Sequence, residues 1–443
     1  MTFGATGWLA LLAGCATTPS SSSGPPSTQP YVLFAPIQSD FTYLMDLQGQ
    51  LVHQWSAAST PACAVYLLDD GRLLRPRSLG DTNFPSGGCN GGRIEMLDWD
   101  GNVLWSYDYN DTNHQQHHDA RYMPNGHVLF LAWEKRTAAE AVAAGRDPAT
   151  IPANGVIWVD HVVEVDPATN SIVWTWRTWD HLLPPGARSQ DHPELIDPNS
   201  FTAVQNDWTH MNAVDYNATL DQVMVSVRNH DEIWVIDHGT TTTEAAGHAG
   251  GRRGHGGDLL YRWGNPRNYG YTADEQLFGQ HNAHWIETGL PGAGNVLVFD
   301  NGDRSARPFS TAVEIAPSIQ ADGSYAMDPQ QGFLPLAPVW QWAANPPASV
   351  FATIISSAQR LASGDTLICD GTSGHFFEVT PAGDTTWSYL VTDTNGNNNI
   401  LVFRATRYEA GYPALDGRTL SPEGLLKAQL VPSATGKGPP PAL

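Results

Sequence analysis

His53-Gln54-Trp55, Trp105-Ser106-Tyr107, Trp174-Thr175-Trp176, Tyr261-Arg262-Trp263, Trp340-Gln341-Trp342 and Trp387-Ser388-Tyr389 are six copies of one short pattern: an aromatic residue or His, any residue, then Trp or Tyr. The two bulky residues stand two apart, so in a strand both project from one face. Turn chemistry precedes most copies, as in Leu47-Gln48-Gly49-Gln50, Asp98-Trp99-Asp100-Gly101-Asn102 and Pro381-Ala382-Gly383-Asp384. Six copies predict six sheets.

Upstream of most copies lies a strand, a tight turn and another strand. The clearest runs from His118 to Met123, through Pro124-Asn125-Gly126, into His127 to Trp133, and reads as a hairpin. Comparable hairpins are Val65 to Arg75, His210 to Arg228, His281 to Asn301 and Ser356 to Asp370. Adding the patterned strand and the one before it gives about four strands per unit, the size of a propeller blade. The fold class is therefore all-β, a six-bladed β-propeller. Insertions fall in the connections at Arg136 to Asn154, Asp180 to Asp207 and Gly239 to Gly256. The first unit, beginning near Tyr31, lacks a hairpin of its own, and Ile400 to Ala405 supplies the missing strand and closes the ring. The propeller spans 31–415, and 416–443 reads as a Pro/Gly/Ala-rich tail expected to fray.

Composition agrees. The 443 residues are 41% hydrophobic and only 15% charged, with Gly 42, Pro 32 and Trp 16, which describes short strands, turns and flat aromatics packed between sheets. A net charge of −22 with three lysines leaves no basic stripe to replace condensed counterions, which excludes nucleic acid as a partner. An anionic ligand needs a locally donor-rich pocket, which draws attention to clustered His and Arg. Residues 1–15 run through a short apolar stretch into Leu12-Ala13-Gly14-Cys15, which reads as a lipoprotein signal ending at a lipidated Cys15, although no Lys or Arg precedes it. A Ser/Pro-rich tether follows at 16–30. The expected location is the bacterial cell envelope, periplasmic or at the surface, with membrane contact only through that anchor. Cys63, Cys89 and Cys369 are too few for a structural zinc site. An oxidising compartment permits a Cys63 to Cys89 disulfide, with Cys369 as a small buried hydrophobe. No cofactor or metal is implied.

Aligning the hairpins brings His118, His210 and His281 to the first strand's start in three successive units, in the contexts His118-Asp119-Ala120, His210-Met211-Asn212-Ala213 and Gln280-His281-Asn282-Ala283. Residues equidistant from a hairpin turn face each other, which sets His210 near Arg228 and His281 near Asn301. If these hairpins are innermost, all five groups converge on one mouth of the axial channel. His114, His117, His230, His238 and His284 read as structural, and Asp119 alternates away from His118. Trp208 and Trp285 share faces with His210 and His281 and are candidates to flank an aromatic ligand, with core packing an equal reading.

The hairpin with His117-His118-Asp119 and Pro124-Asn125-Gly126, the Trp208-Thr209-His210 segment leading to Ser226-Val227-Arg228, the Gln280-His281-Asn282-Ala283 stretch and the closing Phe403 to Tyr408 together resemble bacterial arylsulfate sulfotransferases over roughly Tyr31 to Leu415. The resemblance implies a six-bladed propeller that moves a sulfuryl group from an aryl sulfate to a phenol through a sulfohistidine, without a nucleotide sulfate donor. It implies His281 as nucleophile, His118 and His210 as assisting histidines and Arg228 as the group holding the sulfuryl oxygens, with Asn301 as an added neutral donor. The extra N-terminal β domain that better-known members use in dimer formation has no counterpart before Tyr31, so the resemblance leaves the oligomeric state open. Rival readings are a quinoprotein dehydrogenase, which calls for eight units and an acidic calcium site, a metal centre on the three histidines, and a non-catalytic propeller that binds glycans or scaffolds an envelope complex.

Overall fold

Six four-stranded antiparallel sheets follow one another around a ring in the computed structural model, which describes Met1 and residues 27–80 and 89–431. The Cys15 expectation lies outside the described residues. Among them, no helix is long and apolar enough to cross a membrane. Blade 1 consists of Tyr31–Pro36, Phe41–Asp46 and Leu51–Ser56, completed on its inner side by the C-terminal strand Val402–Tyr408. The closing register sets Tyr31 opposite Tyr408 and Phe34 opposite Ala405. Chain ends therefore share one sheet, and no blade edge is left open at the seam.

Blades 2 to 6 begin with the innermost strands Tyr66–Leu67, His114–Tyr122, Met211–Asn217, His281–Trp285 and Ser357–Arg360. Each winds outward to the patterned strand, namely Val103–Asp108, Ser171–Arg177, Leu259–Trp263, Trp340–Ala343 and Thr385–Leu390. Alternation in the intervening strands feeds two faces at once. In Gln222–Val227 of blade 4, Val223, Val225 and Val227 pack toward blade 3, whereas Met224 packs toward blade 5. Both faces are thus buried, which is why these strands read as apolar runs.

The aromatic signature seals the blades together. Indole N–H groups of Trp55, Trp105, Trp174, Trp263, Trp340 and Trp387 donate to Asp98 O, Asn170 Oδ1, Thr240 Oγ1, Pro335 O, Pro381 O and Leu47 O, at 2.7–3.1 Å. Every acceptor sits in the connection that leads to the outermost strand of the next blade, and Trp387 returns from blade 6 to blade 1.

Cys63 and Cys89 form a disulfide, and Cys369 is free and buried. Within the tail expected to fray, residues 416–431 are held against the propeller; 432–443 lie outside the described residues. Residues 423–431 cross blades 1 and 6, with Leu426 N bonded to Gly49 O, Ala428 N to Thr392 O and Val431 N to Gln38 O, and with Leu426 and Ala428 buried.

Candidate active site

Near the start of most inner strands the backbone turns left-handed. His118 and His210 have φ 52°, Asn282 has φ 55°, and Cys63, Ile355 and Ser356 are also positive. His and Asn tolerate this conformation better than most residues, and each such position still stores ~1–3 kcal/mol of strain. The kink coincides with register shifts between Gln116 and Ala120, Met211 and Ala213, and His281 and His284. These bulges turn the imidazoles toward the axis.

His118 and His210 meet edge to face, with ring centroids 4.8 Å apart. Phe403, on the closing strand, lies 6.0 Å from the His118 ring and 6.2 Å from the His281 ring. Arg228 follows the hairpin partner strand, and its N–H bonds the His210 carbonyl at 3.2 Å. A Cβ on Gly279 would stand 3.9 Å from Arg228 Nε, so the guanidinium lies over the glycine whose carbonyl is 3.1 Å from His281 Nδ1. Among the described residues no carboxylate comes within ion-pair distance of Arg228. The structure thus brings His118, His210, His281 and Arg228 together.

Asn301 joins them in a different capacity from the ligand donor expected of it. Its amide donates to Ala352 O at 2.7 Å and Ile355 O at 2.9 Å, leaving Oδ1 to accept from His281 Nδ1 at 2.7 Å. Both amide hydrogens are engaged, so Asn301 orients His281. The proton on Nδ1 leaves Nε2 as the ring's lone-pair nitrogen, contacted by Ile355 N–H at 3.2 Å. Trp208 and Trp285 are core residues: Trp208 packs under Arg146 and beside His230, and Trp285 lies in the apolar wedge between blades 4 and 5.

Three residues the sequence reading left aside back the cluster. Asp207 Oδ2 accepts a short hydrogen bond from His210 Nδ1. His117, taken as structural, places Nδ1 2.7 Å from His118 Nδ1 and stacks on Trp133 at 3.7 Å. On its far side His117 Nε2 lies 2.7 Å from Asp160 Oδ1, close in distance but poorly aligned for a hydrogen bond. Strict alternation assigns adjacent residues to opposite faces, and the left-handed His118 defeats that rule by bringing both rings side by side. The doubled His117-His118 was the available clue.

Burial pushes the imidazoles of His281 and His118 well below the ordinary histidine range; Arg228 adds to the effect on His281, and His210 to that on His118. Both rings are neutral near pH 7. Burial raises the Asp160 carboxyl, and the neighbouring Asp207 charge adds to it. The ring nitrogens of His118, His210 and His281 do not gather on one point as metal ligands do; the group that does so among the described residues, His181, His248 and Asp258, lies elsewhere.

A cavity of about 530 Å³ opens at the other end of the channel; His284 lines it, but His118, His210 and His281 do not. It begins one residue layer below them, at Asp119, Asn282 and Arg404. Asp119 closes that layer by bonding Tyr66, Arg404 and Val214 N, so it bridges blades. We assign the chemistry to the imidazole layer, because there three imidazoles meet a cation without an ion-pair partner at the axis.

A propeller whose axial mouth carries three imidazoles and a guanidinium bonded to the neutral Asn229 amide, with no carboxylate in ion-pair distance among the described residues, is suited to handling a small oxyanion. The sequence profile of the Arylsulfotransferase (ASST) family matches residues 23–411, and the chain belongs to that family. Arylsulfate sulfotransfer is the activity of the family. Among curated proteins, none matches this sequence. Similar solved structures include a Bacteroides caccae protein of unknown function, at 12% identity and TM-score 0.46, covering 86% of this chain and 99% of that one. A streptogramin B lyase matches at 10% identity and TM-score 0.40, covering 89% and 95%. A putative 6-phosphogluconolactonase from Bacteroides fragilis matches at 10% and 0.37, covering 88% and 100%. With TM-scores below 0.5, none of these bears on function.

Proposed function

We propose that this chain transfers a sulfuryl group from an aryl sulfate to a phenol through a sulfohistidine at His281. The observation that carries the reading is the meeting of neutral His281, its Nδ1 proton fixed by Asn301, with Arg228, which has no ion-pair partner among the described residues. His281 Nε2 attacks sulfur, displacing its contact with Ile355 N–H; the N–S bond forms as the bond from sulfur to the aryl oxygen breaks. The departing phenolate takes a proton from an assisting imidazole in its charged form, His210 backed by Asp207, with the neutral His118 ring against it. A second phenol then gives its proton back to that base as its oxygen attacks the sulfohistidine. Arg228 holds the sulfuryl oxygens throughout with planar paired donors, and the freed Ile355 N–H stands beside them as a further donor. Phe403, between two of the imidazoles, offers an apolar surface to the aryl ring.

Purified protein mixed with 4-nitrophenyl sulfate is expected to release 4-nitrophenol in a burst, and to turn over continuously only when a phenol acceptor is added. His281→Asn should abolish both phases while leaving the fold intact by circular dichroism. Normal turnover by that variant removes His281 from the mechanism, and turnover without any acceptor dependence removes the transfer reading. The same reading places the protein as a lipoprotein of the bacterial envelope anchored at Cys15. Radiolabelled palmitate incorporation that survives Cys15→Ser would refute that placement.

A further inference from the structure

Away from the axial mouth, two of the insertions meet. His181 ends the single turn Thr178–His181 that follows the outermost strand of blade 3. His248 lies in the 239–256 insertion, and Asp258 immediately precedes the outermost strand of blade 4. His181 and Asp258 are buried and His248 is exposed. His181 Nδ1 stands 2.8 Å, and His248 Nδ1 2.7 Å, from one and the same oxygen, Asp258 Oδ1.

The second nitrogen of His181 decides what this means. Nε2 lies 2.8 Å from the Ala245 carbonyl, which can only accept, so Nε2 carries a hydrogen. Unless a fully buried ring holds two protons, its Nδ1 directs a lone pair at a carboxylate oxygen. A cation between the two turns that repulsion into coordination. An imidazole whose far N–H is tied to a backbone carbonyl is also how metal-binding histidines are oriented. The surroundings are built to keep the ring there. Trp176 stacks on it at 5.5 Å and donates its indole N–H to Gly257 O at 2.6 Å. A Cβ on Gly257 would fall 2.6 Å from His181 Nε2 and 2.1 Å from Ala245 O, so only glycine fits.

We propose that His181, His248 and Asp258 bind one zinc ion that staples the connection 178–207 to the insertion 239–256. Two imidazoles and a carboxylate suit zinc rather than calcium or magnesium, and water completes the tetrahedron. Ligand atoms now at hydrogen-bond separation must spread to about 3.3 Å around an ion bound at ~2.0–2.2 Å, and the exposed His248 has room to move. The stapled connection leads directly into Asp207 and His210, so the ion steadies the segment that delivers them to the axial mouth.

The test uses the untagged full chain, stripped with chelator and titrated with zinc chloride against a chromogenic chelator, with bound zinc counted by elemental analysis and thermal midpoints recorded. Wild type should hold about one zinc per chain and melt higher with it. His248→Ala, which changes an exposed side chain, should lose affinity by more than the ~10–100-fold typical of removing an outer-sphere partner, and zinc should no longer raise its midpoint. Asp258→Asn should behave likewise. Wild type that binds no zinc, or a His248→Ala protein that binds and melts as wild type does, overturns the site. These readouts are independent of sulfuryl transfer.

Discussion

At the residue scale, the axial histidines are distinguished by what stands behind each of them. His210 is held by a carboxylate, His281 by an amide and His118 by a second imidazole. A carboxylate behind Nδ1 fixes the tautomer that turns Nε2 to the reaction and stabilises the ring when it becomes charged. Asp207→Asn is therefore expected to lower kcat by ~10²–10⁴-fold. The loss should be greater for phenyl sulfate than for 4-nitrophenyl sulfate, whose phenolate leaves with less protonation. Equal losses on the two donors would assign Asp207 a merely structural part. His117→Phe keeps the stack on Trp133 but removes the contact to His118. It should leave KM unchanged and reduce kcat by about tenfold or more, and an unaltered kcat would show that His117 only fills space. The hairpin register found His210 with Arg228, because that pair depends only on counting from a turn; His281 lies opposite Phe299 in the ladder and meets Asn301 through its side chain, two residues off the counted register. It did not find His117, Asp207 or Asp160, because a left-handed residue breaks alternation, Asp207 lies in a connection that carries no period, and Asp160 lies on a different strand, Val156–Asp166, outside the aligned hairpins. The same blindness made Trp208 and Trp285 ambiguous: sharing a strand face with a histidine does not say which side of a bulge that face ends on.

At the element scale, the tripeptide that marks each outermost strand is legible because it does the same physical job six times. Its indole donors reach across to the following blade, and the apolar wedges between blades finish the seal. The consequence is graded by burial. Trp263 is buried and donates to Pro335 O at 2.7 Å, whereas Trp340 is half-exposed and donates to Pro381 O at 3.0 Å. Trp263→Phe removes a hydrogen bond between a buried indole and the partly buried Pro335 carbonyl and should cost ~1–3 kcal/mol, whereas at Trp340 water can replace the indole and the cost should stay at or below ~1 kcal/mol. Thermal midpoints of the two variants, measured side by side, decide it; equal losses would mean that ring packing, and not the staple, holds the blades. The closing strand was legible from its apolar run, but the course of 423–431 was not. Leu426, Ala428 and Leu430 alternate with Lys427 and Gln429 and turn to the core, but five residues between Pro/Gly/Ser-rich flanks are too short a run to stand out as an element.

At the scale of the whole molecule, burying many imidazoles ties stability to pH. Burial lowers His117, His118, His161 and His281 well below their ordinary value and also lowers His284. His230 is pushed down to about 3 by burial, with Arg262 and Arg146 adding to it. These rings stay neutral in the folded chain but protonate near ~6.5 when it unfolds, so their stabilising effect is full above that pH and is lost as pH falls below it. Opposing them, burial raises the carboxyls of Asp160 and Asp231, and Asp300 to about 6. Such groups stabilise the fold at low pH and cease to do so as pH rises through their folded values. His238 acts in the same sense, since hydrogen bonds to Glu164 and Asp221 outweigh its burial and raise it. Below ~6.5 the depressed histidines, among them also His53 and His375, outnumber the raised carboxyls, among them also Glu232, Glu275 and Glu378, while above it the highest of those carboxyls and His238 lose their stabilising effect. Stability should therefore peak near neutrality and fall more steeply on the acid side. His230 isolates one contribution: among the described residues its ring nitrogens have no hydrogen-bond partner, and it packs between Phe201, Trp208 and Trp234. His230→Phe preserves that packing and removes one titrating group. The acid limb of its stability profile should flatten by about 1.4 kcal/mol per pH unit, measured by denaturant unfolding between about pH 4.5 and 6.5. An acid limb of unchanged slope would show that His230 already takes up its proton in the folded chain, and that burial does not govern the acid sensitivity of this propeller.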